Sequence, residues 1–376
     1  MTAVIGLDLS CLEIQPETGV ERYARRLVEQ LPLVAPDLQF VVLIRPGRPA
    51  PAAGPQVRIV EVPSLFPRAV WREGAMPRAL KRLGVALLHA PVAALPFRTS
   101  ALRVATIHDV PMHGETGHTG RLSRNRLRLL HALRAAQHIV VPSEATRLAL
   151  LTVEPNVAPR VTVIAHGVDP DFRGFGLPLR RDRYGIAPGP YLLWVGTLRQ
   201  RKDPLVLVEA FVRMHRAAGN SNLQLVMCGK ALMDENEIRA PLRAARIDDR
   251  LLILPGYVAR EDLPDLYREA EVVVVPSRLE GFGLPALEAM ASGKPLVISD
   301  DAALTEVCGN AARSFRTGDA NDLAHVLQHL LHDDAARAQL CTRALQRSQE
   351  YSWEASARAH ADVYRQVLSS RPAPSP

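Results

Sequence analysis

The sequence predicts an α/β protein built from two parallel-sheet domains, and three observations carry that prediction. Strand-like and helix-like segments alternate nearly from end to end. The chain has 376 residues, too many for one typical core. A Gly-, Pro- and Arg-rich stretch from Asp169 to Pro190 then divides the alternation in two. Each half reads as a Rossmann-like domain.

In the first half the apolar runs Val4–Leu9, Phe40–Ile44, Val57–Val62, Ala86–His89, Val104–Ile107, His138–Val141 and Val161–Ile164 read as strands. Helical periodicity falls between them, notably at Val20–Leu31, Leu122–Ala136 and Glu144–Leu151. Arg45 to Pro55 is a surface loop by its Pro and Gly content. In the second half the strands are Tyr191–Val195, Leu223–Cys228, Leu251–Leu254, Val272–Val275 and Leu296–Ser299, each followed by a helical stretch. From Asp319 onward the chain reads as wholly helical, with a frayed tail at Arg371–Pro376.

Composition narrows the classes of function. Hydrophobic residues make up 47% and charged residues 23%, the balance of an ordinary soluble protein. No run approaches the ~18 apolar residues of a membrane span. Met1–Leu9 reads as a strand without a basic leader. Cys11, Cys228, Cys308 and Cys341 are too scattered for a zinc or redox motif, so reduced thiols and a cytoplasmic location are expected. The net charge of +7 suits an anionic ligand or membrane surface. Nucleic acid is not an expected partner, because only 5% of residues are aromatic and the bases are dispersed.

The densest chemistry lies at Glu280-Gly-Phe-Gly-Leu-Pro-Ala-Leu-Glu288, directly after the Val272–Val275 run. Gly281 and Gly283 leave the backbone bare, and Pro285 suits the first turn of a helix. Helix N-termini attract anions through unpaired N–H groups and the macrodipole. One carboxylate in the loop and one a turn inside the helix would address hydroxyls of a ligand whose phosphates face the helix end. A polyhydroxylated, diphosphate-linked molecule fits, and a nucleotide sugar is the common example. The bland alternative is a connection with solvated acids.

Gly196 ends the first strand of the second half and is followed by Thr197-Leu-Arg-Gln-Arg-Lys202, with Asp203-Pro204 opening a helix as N-cap and first position. Arg199, Arg201 and Lys202 therefore sit where phosphate usually binds. In the first half Gly19 opens a helix whose first turn carries Arg22 and Tyr23, and His108 closes a strand at the edge where ligands bind. His89 has the same placement. Asp169-Pro-Asp171 has the spacing of a metal-diphosphate motif, but Pro170 and the domain break favour a structural turn, and no metal is expected. Arg121, Arg124, Arg126, Arg128 and Arg134 along Leu122–Ala136 suit either a solvated cationic face or peripheral contact with an anionic membrane.

Taken in order, these pieces resemble the retaining glycosyltransferases of family 4, which have the two-domain GT-B architecture. The likeness runs from Thr18-Gly-Val-Glu-Arg-Tyr23 to Tyr351-Ser-Trp-Glu354, with its most specific parts at Val195–Lys202 and Val275–Gly293. Val163–Asp169 and Thr106–Asp109 add weaker support. The resemblance implies parallel sheets facing a central cleft and a C-terminal helix crossing back to the first domain. It implies an acceptor-binding domain at 1–175 with helix 353–370, and a donor-binding domain at 186–352. Glu288 would then bind the ribose hydroxyls and Glu280 the transferred sugar. Backbone amides near Phe282, Gly283 and Leu284 would hold sugar and phosphate, and Arg201 and Lys202 would neutralise the diphosphate. His108 would approach the sugar, while Gly19 would let the first loop pass close to the phosphates. One departure stands out: many members carry Arg directly after the strand's glycine, where this chain has Thr197. Arg199 and Arg201 are both candidates for that arginine's role. The Thr-x-x-x-Arg-Lys form resembles a subgroup that builds bacterial surface polysaccharides with mannose-type donors.

The expected partners are therefore a nucleotide sugar, GDP-mannose ahead of a UDP-sugar, and a saccharide or lipid-linked acceptor, with no cofactor. The acceptor would be read by first-domain loops including Arg45–Pro55 and Met112–Gly120. Rival readings are a nucleotide-sugar epimerase or hydrolase of the same architecture, or a binding protein without turnover. A nicotinamide-dependent oxidoreductase is disfavoured, because neither first strand leads into Gly-x-Gly-x-x-Gly.

Overall fold

The computed structural model describes residues 2–13, 17–48, 50, 51, 54, 56–63, 68–110, 119–174, 176, 178–218 and 222–370. Residues 14–16 of the loop before Gly19, residues 49, 52, 53 and 55 of the Pro-rich loop, residues 111–118 and the tail 371–376 lie outside it, as do the side chains of Arg121 and Arg124.

In chain order the first elements are β1 (Val4–Asp8), α1 (Gly19–Val34), β2 (Gln39–Ile44), β3 (Val57–Glu61), α2 (Arg68–Glu73) and α3 (Ala75–Arg82). They are followed by β4 (Leu87–Ala90), β5 (Leu102–Thr106), α4 (Thr119–Ala135), β6 (His138–Val141), α5 (Glu144–Val153) and β7 (Val161–Val163). Then come β8 (Tyr191–Val195), α6 (Pro204–Ala218), β9 (Gln224–Cys228), α7 (Glu235–Ala245), β10 (Leu252–Gly256), α8 (Leu263–Glu269) and β11 (Val272–Val275). The chain closes with α9 (Leu284–Ala291), β12 (Leu296–Ser299), α10 (Ala302–Cys308), β13 (Arg313–Phe315), α11 (Ala320–His332), α12 (Asp334–Ser348) and α13 (Trp353–Ser369).

These elements form two compact units, Met1–Gly167 with Ser352–Pro376 and Val168–Tyr351. Among the described residues the first holds a seven-stranded sheet ordered β3-β2-β1-β4-β5-β6-β7, the second a six-stranded sheet ordered β10-β9-β8-β11-β12-β13. Every pairing is parallel. Central parallel strands are buried on both faces, which is why β11 reads Val-Val-Val-Val and is buried throughout. In both sheets the order reverses once, between β1 and β4 in the first unit and between β8 and β11 in the second. Ligands of open parallel sheets bind outside the carboxyl ends of strands at such reversals.

Three features depart from the sequence reading. β13 was not anticipated, because it is three residues long with Arg313 and Ser314 exposed, leaving no apolar run to see. The helical stretch after Asp319 breaks at Asp333, whose carboxylate leaves one helix to accept the Ala336 N–H of the next at 2.8 Å. A second break precedes α13, whose N-cap Ser352 accepts from Ala355 N at 3.1 Å. The Gly/Pro/Arg-rich stretch after Val168, read as the divide between the two domains, falls within the second unit. Glu269 accepts Leu179 N and Arg181 Nε there, both at 2.7 Å.

Candidate functional site

The loops after β8 and β11 meet because those strands are neighbours at the reversal of the second sheet. β8 runs directly into Gly196, whose N–H donates to Cys228 O at 2.9 Å. A side chain on Gly229 would lie 1.7 Å from Gly196 O, so the two strand ends touch backbone to backbone. Leu198 N then donates to Lys230 O and Leu232 N to Leu198 O, lacing the loop after β8 to the loop after β9. With its base fixed, the chain makes one 3₁₀ turn, Gln200–Lys202, and enters α6 at Pro204.

That turn delivers Lys202 Nζ onto Glu280 Oε1. The side chains are 15% and 7% exposed, so the pair is nearly out of water. Ser277 Oγ donates to the same oxygen at 2.7 Å, and Ser277 O in turn accepts Ser299 Oγ at 2.5 Å. The Glu280 N–H donates to Asp301 Oδ2 at 3.3 Å, while Asp301 Oδ1 caps α10 through Ala303 N and Leu304 N, both at 3.1 Å. Among the described contacts both side-chain donors fall on Oε1 and none on Oε2.

The charges around this pair are unequal. Burial pushes the Glu280 carboxyl up, but the Lys202 ammonium, the hydrogen bonds from Lys202 and Ser277 and the charge of Arg201 together hold it below its ordinary value. Burial also draws the Lys202 ammonium down; Glu280 opposes this, while Arg201 and Arg199 reinforce it. Lys202 and Arg201 thus act on the carboxylate, and Arg199 acts on Lys202. Such a site keeps Glu280 ionised.

α9 begins just beyond. Gly283 is its N-cap at φ +94°, and a side chain there would lie 2.5 Å from Leu304 Cδ2. No acid occupies the first turn of α9, so nothing on the helix itself offsets its positive end. Phe282 is buried, its ring edge-on to Tyr351 at 5.7 Å, which anchors the loop just before Gly283. Glu288 lies within α9 and is buried, with Tyr267 Oη donating to its Oε2 at 2.9 Å. Asp203 opens α6, as its residue type suggests, but with its backbone in the left-handed region at φ +46° rather than extended.

The other two candidate residues lie in the first unit. Gly19 is the first residue of α1, where Thr18 N donates to Glu21 Oε2 at 2.9 Å in a capping box, so Glu21 is spent on the helix end. Tyr23, one turn further, stacks edge-on against His108 at 4.9 Å. His108 Nε2 donates to Pro91 O at 2.8 Å, and its Nδ1 faces His166 Nε2 at 3.3 Å. Both ring nitrogens are therefore engaged inside this unit, and burial lowers the imidazole's pKa. His108 is held neutral and offers no nitrogen for proton transfer in this arrangement. Asp169 accepts Arg260 Nη2 at 2.7 Å and is buried, so the Asp169-Pro-Asp171 triplet works as a structural turn.

Beneath His108 runs a buried chain whose direction one carbonyl decides. Ser356 O can only accept, so His360 Nδ1 carries the proton at 2.7 Å. His360 Nε2 then accepts Tyr23 Oη–H at 2.7 Å, and Tyr23 Oη accepts Thr106 Oγ1–H at 2.8 Å. Thr106 accepts His89 Nε2–H at 2.9 Å, and His89 Nδ1 accepts Tyr364 Oη–H at 2.6 Å. With both imidazoles neutral, every link of the chain in this direction is satisfied. Burial, the leading cause in each case, lowers the pKa of His89 and His166 well below the ordinary value and that of His360 to about 4.

Acid lability follows. The unfolded chain takes up protons at these histidines near pH 6.5, the folded one only near pH 4 at His360, so stability is full above 6.5 and falls as pH drops toward 4. That shift makes His360 alone worth about 3 kcal/mol of lost stability at the acid end. Urea unfolding at pH 7.5 and 5.0 is expected to show the first unit's midpoint falling. An unchanged midpoint would mean that the imidazoles are already charged in the folded state.

Sequence reasoning did not find Tyr267, Asp301, Ser277 or Gly229 at the site. Gly229 carried a usable signal, since it directly follows β9 as Gly196 directly follows β8.

Two Rossmann-like units of parallel sheet, with the last helix returned to the first unit, are the architecture of the GT-B fold. A profile described as Glycosyltransferase Family 4 matches residues 18–172, and one described as Glycosyl transferases group 1 matches residues 189–333. The chain is 30% identical over 275 residues to O-antigen chain mannosyltransferase B of Escherichia coli, an alignment covering 71% of each chain. It is 32% identical over 260 residues to a D-inositol 3-phosphate glycosyltransferase of Kineococcus radiotolerans, covering 64% of this chain and 59% of that relative. Its fold matches the solved sucrose-phosphate synthase of Thermosynechococcus elongatus with a TM-score of 0.78 at 22% identity, over 98% of this chain and 100% of that one. The chain belongs to glycosyltransferase family 4.

Proposed function

We propose that this protein is a retaining hexosyltransferase that moves mannose from GDP-mannose to a saccharide or lipid-linked acceptor in cell-surface polysaccharide or glycolipid synthesis. The observation that carries the reading is the nearly buried Lys202–Glu280 pair at the strand reversal, with Arg201 acting on both groups and Arg199 on Lys202. Breaking the anomeric C–O bond leaves an oxocarbenium-like sugar and a departing nucleoside diphosphate. Charge on that leaving group grows as the bond stretches, so fixed cations and the N-terminus of α9 stabilise the transition state more than the bound donor. Glu280 Oε2 takes a sugar hydroxyl and Glu288 the ribose hydroxyls, with Tyr267 holding the latter carboxylate in place. Mannose is supported by the O-antigen mannosyltransferase relative. Retention follows the family, with attack on the face of the departing phosphate.

A cytoplasmic protein working at the inner face of the membrane suits the remaining observations. All four cysteines are free thiols, and among the described residues no helix is long and apolar enough to cross a membrane. α4 exposes Arg126, Leu127 and Arg128, and His131, one turn beyond Leu127, packs its ring 4.2 Å from the exposed Phe97. Apolar residues flanked by arginines fit an anionic lipid surface.

The test is transfer from labelled GDP-mannose, with UDP-glucose as comparison, in EDTA and on vesicles with and without anionic lipid. Three cations and a helix end supply the charge a divalent ion would otherwise bring, so turnover is expected to persist in EDTA. The product's anomeric proton should keep the donor's configuration, and the protein should sediment with the anionic vesicles alone. Conversion of the donor without any acceptor would replace transfer by epimerisation or hydrolysis.

A further inference from the structure

The two loops that carry the cations and the carboxylate are pinned together by residues outside the proposed chemistry. Arg278 N donates to Arg201 O at 2.9 Å, joining the loop after β11 to the turn after β8. The Arg278 side chain returns over the same turn, its Nε 2.8 Å from Asp203 Oδ2. Asp203 also accepts the Val206 N–H at the start of α6. On its other side the Arg278 guanidinium lies against the turn after β13, where a side chain on Gly318 would stand 3.0 Å from Nη2. One arginine thus touches three loops at the ligand-binding edge of the sheet.

Asp203 is the strained member. With φ +46° and ψ 51° it occupies a region that favours glycine and tolerates Asp or Asn, and it precedes Pro204, which disfavours the ordinary helical alternative. Arg246 is the other described non-glycine residue at positive φ, and it sits at a plain helix C-terminus. At Asp203 the left-handed residue turns the chain from the Gln200–Lys202 turn into α6, and so sets where Arg201 and Lys202 point. A half-exposed ion pair adds little to global stability. Its effect belongs in the position of that turn.

We propose that Asp203 and Arg278 are positioning residues that lock the cationic turn onto the carboxylate loop, holding Arg201 and Lys202 ready for a diphosphate. The proposal rests on the donor-site reading above. Releasing the lock lets the turn sample positions that cannot bind, and apparent affinity falls by the fraction of competent turn that remains.

The full chain is compared with Asp203→Asn, Arg278→Ala, Arg278→Lys and the Asn/Ala double variant. Asp203→Asn keeps an amide oxygen for Val206 and tolerates the backbone, but loses the charge. GDP and UDP dissociation constants are measured without metal, alongside the unfolding midpoint and hydrogen exchange of peptides spanning residues 198–206. Each of Asp203→Asn and Arg278→Ala is expected to weaken the preferred nucleotide by about threefold to tenfold. The double variant should be no worse than either single one, because both remove the same contact. Arg278→Lys should recover most of the affinity. Exchange at residues 199–203 should quicken while the midpoint barely moves. Wild-type exchange in Arg278→Ala, additive losses, or a lower midpoint with unchanged affinity would each overturn the proposal. If neither nucleotide binds the unaltered chain, the donor-site reading fails, and the exchange experiment still decides whether the lock exists.

Discussion

Replacing Lys202 by alanine is expected to lower kcat/KM for the nucleotide sugar by about 10²- to 10³-fold, the usual loss when one fixed charge is taken from a developing anion. Lys202 is the cation that touches Glu280, and its side chain is 15% exposed, so water cannot fully replace it. The same change strands the Glu280 carboxylate, which is 7% exposed and keeps only Ser277 as side-chain donor among the described contacts. Breaking a buried pair from one side typically costs about 3 kcal/mol or more in stability. The two losses separate in a second variant. Lys202→Ala with Glu280→Gln removes both charges, so the unfolding midpoint should recover while turnover stays low. Steady-state rates and calorimetry on the single and double variants read this directly. A Lys202→Ala enzyme with the normal kcat/KM would remove Lys202 from the chemistry and leave the pair a purely structural one.

The strands of both units were legible because parallel strands buried on two faces leave continuous apolar runs, and β11 is the clearest case. Glu280 and the Arg199–Lys202 turn were legible as polar segments, each after an apolar strand and at one edge of the sheet. The direct ion pair between Lys202 and Glu280 was not, since the two residues are 78 apart in sequence and touch because β8 and β11 are neighbours at the reversal. Which polar residue serves which candidate was hidden for the same reason. Nothing near Tyr267 says that it serves Glu288, and nothing near Asp301 says that it caps α10 while holding the Glu280 amide. Asp203 shows a subtler limit: its type predicts a helix start, but its left-handed backbone follows from the turn it leaves. His108 was placed at the right edge of the sheet, and its engagement with Pro91 and His166 depends on elements far off in sequence.

Truncation after Tyr351 is expected to prevent the first unit from folding, although α13 is the last element of the chain and most of the proposed chemistry lies in the other unit. α13 packs on α1 and buries Trp353, Ala357, His360, Ala361, Val363, Tyr364 and Val367 in the first unit. The four largest apolar side chains among these, Trp353, Val363, Tyr364 and Val367, bring about 2 kcal/mol of burial each. Losing His360 and Tyr364 also leaves Tyr23 Oη without its acceptor and His89 Nδ1 without its donor. Each orphaned buried group costs about 1–3 kcal/mol. The total is on the order of 10 kcal/mol, comparable with the whole stability of a typical domain. The exposed Arg365–Asp37 pair, for all its two contacts at 3.0 and 2.7 Å, contributes little beside this, and Arg365→Ala should unfold like the full chain. Tyr364→Phe isolates the polar part: it keeps the ring, orphans His89 Nδ1 and should cost about 1–2 kcal/mol. Urea unfolding resolves the three cases, with the truncated chain expected to lose the first unit's transition altogether. If it kept that transition at its normal midpoint, the buried chain from Ser356 to Tyr364 would be a passenger on a unit already stable without it.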